Sequence, residues 1–117
     1  MGLKKPIVWI GSSKKDFMEF PNDVRKEIGH ALYIAQKGEK HRDAKPLKGF
    51  GGSGVLEILQ GDGYGTYRVV YTVRIKEAVI VLHAFQKKST IGIKTSKQDI
   101  ELIEQRLKQA HSLKNGL

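Results

Sequence analysis

The sequence predicts an α+β fold: an N-terminal strand and a helical hairpin, then an antiparallel β-meander and a C-terminal helix. Three observations carry this. Apolar residues recur at helical spacing in residues 24–35 and again in 100–110. Between them lie three short apolar or alternating segments joined by turn residues, the pattern of a meander. The chain has 117 residues, 39% of them hydrophobic. That fills one core and not two, so residues 1–117 read as one domain. The expected order is β-α-α-β-β-β-α, with the helices on one side of a mostly antiparallel sheet.

Each element has a local reason. Ile7–Ile10 is an apolar run between Pro6 and Gly11, a strand. Ser13 with Asp16 forms a capping-box pattern that opens a short helix through Phe17, Met18 and Phe20, and Pro21 interrupts it. Asn22 caps a second helix, with Val24, Ile28, Ala31, Leu32 and Ala35 on one face and Gly38 at its end. Residues 39–54 read as a polar, Gly-rich connection. Val55–Leu59 is a short strand. Gly61–Gly65 is a turn built on Asp62-Gly63, a favoured hairpin pair. Tyr67–Ile75 alternates, with Tyr67, Val69, Tyr71, Val73 and Ile75 on one face and Arg68, Val70, Thr72 and Arg74 on the other. A Lys76-Glu77 turn leads to Ala78–Phe85, apolar at nearly every position and so covered on both faces. Ser96 with Asp99 is a second capping box, and Ile100, Ile103, Leu107 and Ala110 form the stripe of the last helix, Ser96–Ala110.

Charge is the unusual property. Lys plus Arg is 21 against 12 Asp plus Glu, a net +9. The excess divides almost evenly between the two halves of the chain, so it is no detachable basic tail. It points to a polyanionic partner: nucleic acid, an acidic protein or an anionic membrane. The chain has no cysteine. That excludes disulfides, thiolate metal sites and thiol nucleophiles, and fits a reducing compartment. No apolar stretch is long enough for a membrane span or a signal-peptide core, so the expectation is a soluble, cytoplasmic protein without a membrane partner.

Several residues invite chemistry, each with a plainer reading beside it. Gly49–Gly54 satisfies G-x-G-x-x-G but precedes a strand instead of opening a helix, so it reads as a crossing loop. The four histidines lack metal-ligand spacing, and no metal or cofactor is expected. His83 interrupts the apolar strand. It is either a hydrogen-bonded histidine at the sheet's end, or a group that transfers protons or contacts phosphate. Arg68 and Arg74 face away from the tyrosines. Either they pair with a carboxylate such as Glu57, or that face meets a ligand. Lys87 and Lys88 leave the strand that carries His83, and Lys94 and Lys97 follow. They form a solvated basic loop or, with Arg68, a metal-free set of cations suited to a phosphodiester. Lys48, Arg74, Lys94 and Lys97 are the further candidate RNA contacts. Tyr67, Tyr71 and Phe85 suit base stacking, though core packing accounts for them better. No helix-turn-helix pattern supports a DNA-binding regulator.

Four stretches together carry a resemblance: Lys45-Pro46-Leu47-Lys48-Gly49, Gly54-Val55-Leu56-Glu57-Ile58, Thr66-Tyr67-Arg68-Val69-Val70-Tyr71, and Leu82-His83-Ala84-Phe85-Gln86-Lys87-Lys88-Ser89. With the C-terminal amphipathic helix they cover essentially the whole chain. The sequence resembles the RelE/HigB superfamily of bacterial toxins, in its phage-derived HigB-like branch. The resemblance implies a RelE-like, microbial-ribonuclease-like fold and ribosome-dependent, metal-free cleavage of mRNA, in which the 2′-hydroxyl attacks the adjacent phosphate. It also implies a helix-turn-helix antitoxin as partner. Arg68 matches the family's strand arginine at the scissile phosphate. Lys87 and Lys88 match its basic pair after the last core strand, and His83 matches a strand histidine. Two departures stand out. Leu59 occupies a position where many relatives carry Arg or Lys, and the last tyrosine of the chain is Tyr71. The alternative is a non-catalytic RNA- or protein-binding module that keeps the same fold.

Overall fold

A computed structural model describes residues 4–61, 65–87 and 95–113. The elements run β1 (Ile7–Trp9), α1 (Ser13–Met18), α2 (Asn22–Gln36), β2 (Ala44–Pro46), β3 (Val55–Gly61), β4 (Thr66–Ile75), β5 (Ala78–Lys87) and α3 (Lys97–His111). The α+β class and the expected order hold, with one strand added. The Asp62-Gly63 turn lies outside the described residues.

The strands form one sheet in the order β1-β5-β4-β3-β2. β3, β4 and β5 are the expected antiparallel meander. β1 joins its edge parallel to β5, with Ile7 opposite Val79 and Trp9 opposite Val81. β2 is the addition, inside the segment expected to be an irregular connection. Ala-Lys-Pro has no apolar alternation to announce a strand. Pairing with β3 makes it one, Ala44 opposite Ile58 and Lys45 opposite Glu57. Its place at the sheet's edge accommodates Pro46, which has no N–H to donate.

The helices do not share one side of the sheet, contrary to expectation. Phe17, Phe20, Val24, Ile28 and Leu32 of the first two helical segments pack with Ile58, Val69, Tyr71, Val79 and Val81. Ile103 and Ala110 of α3 pack with Val55, Val70, Ile80 and Leu82 on the opposite face. The strands force this arrangement. Both parities of β4 and β5 are apolar, so a one-sided cover would leave Val70, Ile80 and Leu82 in water.

Two irregularities turn side chains over. Val70 pairs with His83, but Tyr71 pairs with Val81, so Leu82 is an extra residue in β5. This bulge puts Leu82 and His83 on the α3 face together, where strict alternation would send His83 into the α1–α2 core. A second register break between Thr72 and Ile75 moves Ile75 into the α3-side cluster, away from the tyrosine face expected for it. The Lys76-Glu77 turn follows with both residues left-handed, φ 57° and 54°, the geometry of a tight hairpin.

Helix capping was half legible. Ser96 caps α3, its Oγ accepting from the Asp99 N–H at 3.1 Å. At α1 the N-cap is Ser12 and not Ser13. The Ser12 hydroxyl donates to the Asp16 carboxylate at 2.8 Å. Ser13 is buried and donates to the Val81 carbonyl at 3.2 Å, tying α1 to β5. At α2 the cap position is Pro21, and Asn22 is the first helical residue. Its side-chain oxygen accepts from Arg25 at 2.7 Å. All five residues assigned to the apolar face of α2 are buried. No helix among the described residues is long and apolar enough to cross a membrane.

Candidate functional site

Cross-strand register assembles the site on the α3 face, beside the N-terminus of that helix. One row runs Lys45, Glu57, Val70, His83, each opposite the next on adjacent strands. The neighbouring row runs Leu59, Arg68, Phe85. Residues two apart on a strand share a face, so Glu57, Leu59, Arg68, Phe85 and Lys87 point the same way. His83, two residues before Phe85, points with them, and the bulge at Leu82 turns Val81 to the other face.

Arg68 is 5% exposed and Glu57 7%. The Arg68 Nη1 lies 3.5 Å from Glu57 Oε2 and donates to Thr95 Oγ1 at 2.9 Å. The pairing with Glu57 is therefore realised. The pair also lines a hollow with Lys45, Lys48, Thr95 and Ile100, of about 510 Å³. That is within the roughly 300–1,000 Å³ of small-molecule sites. Arg68 is thus both paired and placed at a recess with two lysines on its rim.

A second group gathers around Asp99 in the first turn of α3. His83 Nε2 lies 2.8 Å from Asp99 Oδ1. Lys87 Nζ lies 3.2 Å from Asp99 Oδ2. The Ser96 hydroxyl donates to the same oxygen at 2.7 Å. Burial alone would raise the Asp99 carboxyl, but hydrogen bonds from His83, Ser96 and Lys87 outweigh it and hold the group below its usual value. Burial pushes His83 down, and its bond to Asp99 offsets only part of that. A neutral His83 facing a carboxylate donates from Nε2. Its Nδ1 is buried with no hydrogen-bond partner among the described residues. Phe85 stacks on the imidazole, centroids 4.4 Å apart, and Lys87 Nζ sits 5.8 Å from the centre of the Phe85 ring. Arg106 supports the bulge from behind, donating to the Leu82 carbonyl at 2.9 Å and the Ser12 hydroxyl at 3.2 Å. Its guanidinium lies against Gly11, where a Cβ would come within 2.9 Å.

The expected site residues are thus only partly brought together. Arg68 and Lys48 share the hollow described above. His83 and Phe85 line a separate one with Asp16, Glu19, Phe20 and Gln86, between α1 and β5. Lys87 joins His83 through Asp99, and Lys97 is exposed in the first turn of α3. Arg74 lies toward the far end of β4, roughly 20 Å from Arg68 at strand rise, and donates to the Gly52 carbonyl at 3.0 Å. It belongs to the Gly-rich loop, where a Cβ on Gly54 would collide with it. Tyr67 and Tyr71 are core residues on the opposite face. Lys88 and Lys94 lie outside the described residues. Among the described residues no group of three or more His, Asp and Glu could hold a metal ion. Asp99 is the residue the sequence reading did not single out as a site. Its only signal was the capping box, which also places a carboxylate at the mouth of a helix end.

The family described as phage derived protein Gp49-like (DUF891) matches residues 15–108. No curated protein matches. Among solved structures, a chain of the RelBE2 toxin–antitoxin complex from Mycobacterium tuberculosis superposes with a TM-score of 0.49 at 17% identity, over 76% of this chain and 98% of that one.

Proposed function

From a chain that belongs to the phage-derived Gp49-like family, as its RelE/HigB-like motifs led one to expect, we propose the toxin of a toxin–antitoxin pair, acting as a metal-free endoribonuclease on ribosome-bound mRNA. The observation that carries the reading is Arg68, a buried guanidinium at a recess rimmed by Lys45 and Lys48, with Lys87 one strand away. In the reaction, the 2′-oxygen bonds to phosphorus as the P–O5′ bond breaks. The 2′-proton leaves to a base and the 5′-oxygen takes one up. Negative charge accumulates on the phosphoryl oxygens meanwhile. Arg68 and Lys87, with Lys88 beside it in sequence, supply fixed positive charge there. Asp99 holds Lys87 and the His83 ring in place until RNA competes for the lysine. Lys48, Lys97 and the rest of the basic excess draw the protein to RNA by counterion release. A helix-turn-helix antitoxin of acidic surface would mask the same charge, and the cytoplasm, where ribosomes are, is the place of action.

Leu59 favours a second reading. It sits opposite Arg68 in register, where many relatives have a cation, and leaves that row with a single positive charge. A module that binds RNA or protein without cutting fits such a row. Induced expression decides between the two. The nuclease arrests growth and yields cleaved mRNA on translating ribosomes, and Arg68→Ala with Lys87→Ala relieves both. Salt-sensitive RNA binding with neither arrest nor cleavage products sinks the nuclease reading.

A further inference from the structure

Tyr33 is, with Met18, one of the two large hydrophobic side chains that the described residues leave exposed. It is 44% exposed, while the apolar stripe of α2 is buried on the other side of the helix. Two ammonium groups flank its ring. Lys37 Nζ lies 5.6 Å from the ring centre, and Lys4 Nζ lies 5.4 Å from it. Lys37 is one helical turn along, so its position follows from helix geometry. Lys4 comes from the N-terminal segment and is brought there by design of the backbone. The Lys5 N–H donates to the Gln36 carbonyl at 2.8 Å, and the Gln36 side chain donates to the Lys5 carbonyl at 2.8 Å. This two-bond clamp fixes the segment across the end of α2 and delivers Lys4 to Tyr33. Neither ammonium forms an ion pair with a described carboxylate. Two unpaired like charges held about one exposed ring repel each other, which offsets part of what each ammonium gains from the ring.

We propose that this cluster is a second RNA-binding surface, in which Tyr33 stacks on an unpaired base and Lys4 and Lys37 contact the flanking phosphates. It lies on the α1–α2 side of the sheet, opposite Arg68 and Lys87. The choice of RNA as the polyanion rests on the function proposed above. The chemistry fits: every base offers a π-face to a tyrosine, and cations spaced about it match a backbone that carries a charge per nucleotide. A surface of this kind binds without strong sequence preference and holds RNA while the opposite face acts.

The test uses the full chain and a short fluorescein-labelled 2′-O-methyl RNA single strand, which lacks the attacking hydroxyl and so reports binding alone. Anisotropy titrations should show Tyr33→Ala weakening binding about tenfold, with Tyr33→Phe close to wild type because the ring is kept. Lys4→Gln combined with Lys37→Gln should lower the slope of log affinity against log salt by about 1.4, roughly 0.7 for each single-strand phosphate contact. All three positions are at the surface, and circular dichroism confirms the fold of each variant. Unchanged affinity for Tyr33→Ala overturns the proposal. So does a loss seen only on vesicles containing phosphatidylserine, which would mark a membrane surface. Ribosomal mRNA cleavage measured on the same variants separates the two ideas. Tyr33-dependent binding without cleavage by the wild type defeats the nuclease and keeps this surface. Cleavage without Tyr33-dependent binding does the reverse.

Discussion

The two faces of the sheet bury different things. On the α1–α2 face the strands contribute Ile58, Val69, Tyr71, Val79 and Val81. The polar side-chain atoms the strands bury there are two tyrosine hydroxyls: that of Tyr67 accepts from Gln86 at 3.2 Å, and that of Tyr71 is pushed up to about 12 by burial and stays neutral. On the α3 face the same strands bury Glu57, Arg68 and His83 next to Val70, Ile80 and Leu82. An apolar face gains stability with each buried methylene. A buried ion costs several kcal/mol before any partner offsets it. The α3 face therefore holds groups that folding alone gives no reason to keep, and these are the groups the nuclease reading needs. On the proposed nuclease reading, the contrast separates residues that make the sheet from residues that use it.

The sharpest way to break that division is to remove the buried pair. Glu57→Leu alone should cost about 3–5 kcal/mol, because Arg68 is left charged and buried without its carboxylate. Adding Arg68→Met should recover most of that loss in urea unfolding, since an apolar pair of similar volume is often neutral or stabilising. The same double variant should lose roughly 10²–10³-fold in mRNA cleavage, the usual effect of deleting one preorganised group that stabilises transition-state charge. A double variant as unstable as the single one would make the pair part of the scaffold. The two faces would then differ in composition only.

The complementary change sharpens the other side. Ile58 is fully buried against α2. Ile58→Ala should cost about 2–5 kcal/mol through lost transfer energy and a residual cavity. Cleavage per folded molecule should stay at the wild-type level when assayed below the new unfolding transition. A specific-activity loss larger than the unfolded fraction would mean that the α1–α2 face positions the chemistry as well.

How much of this was legible in the sequence follows from the range of the interactions involved. The stripe of α2 and the alternation of β4 are set by neighbours three, four or two residues away; the first holds throughout, the second as far as Val73, with Ile75 turned over past a register break. The cap at Ser96 is equally local. The two-sided placement of the helices was present in the double apolar parity of Ala78–Phe85, yet the one-sided arrangement was still expected. β2 could not be seen, because only its pairing with β3 makes Ala44–Pro46 a strand. Nor could the β5 bulge. It depends on how Leu82 packs under α3 and on Arg106 gripping its carbonyl from sequence position 106. Without the bulge the fate of His83 stayed open, and Asp99 showed itself only as a cap. Motif matching singles out Arg68 and Lys87, and the strand pattern offers Glu57 as the partner of Arg68, but nothing local points to Asp99 as the partner of Lys87. Those partners are chosen by register, which no short motif records.

The weakest expected effect concerns the hub itself. Burial lowers His83 from the 6.5 of the free side chain, so the unfolded chain takes up that proton first. By linkage, its stability contribution is complete above about pH 6.5 and declines as pH falls through that value toward the lower folded one. Asp99 is also held below its ordinary value. Its contribution is present above about pH 4 and is lost as pH falls through the folded value. Urea midpoints should therefore drop in two steps between pH 8 and pH 3. Asp99→Asn separates them. It removes the lower step, and it enlarges the upper one, because His83 loses the partner that was raising it while burial continues to push it down. An apolar face has no counterpart to this behaviour, so substitutions at Val69 or Val79 should move every midpoint by a similar amount. A wild-type midpoint that stays level between pH 7 and pH 5, or an upper step that shrinks in Asp99→Asn, would show that the His83–Asp99 contact is not what sets the charge of this face.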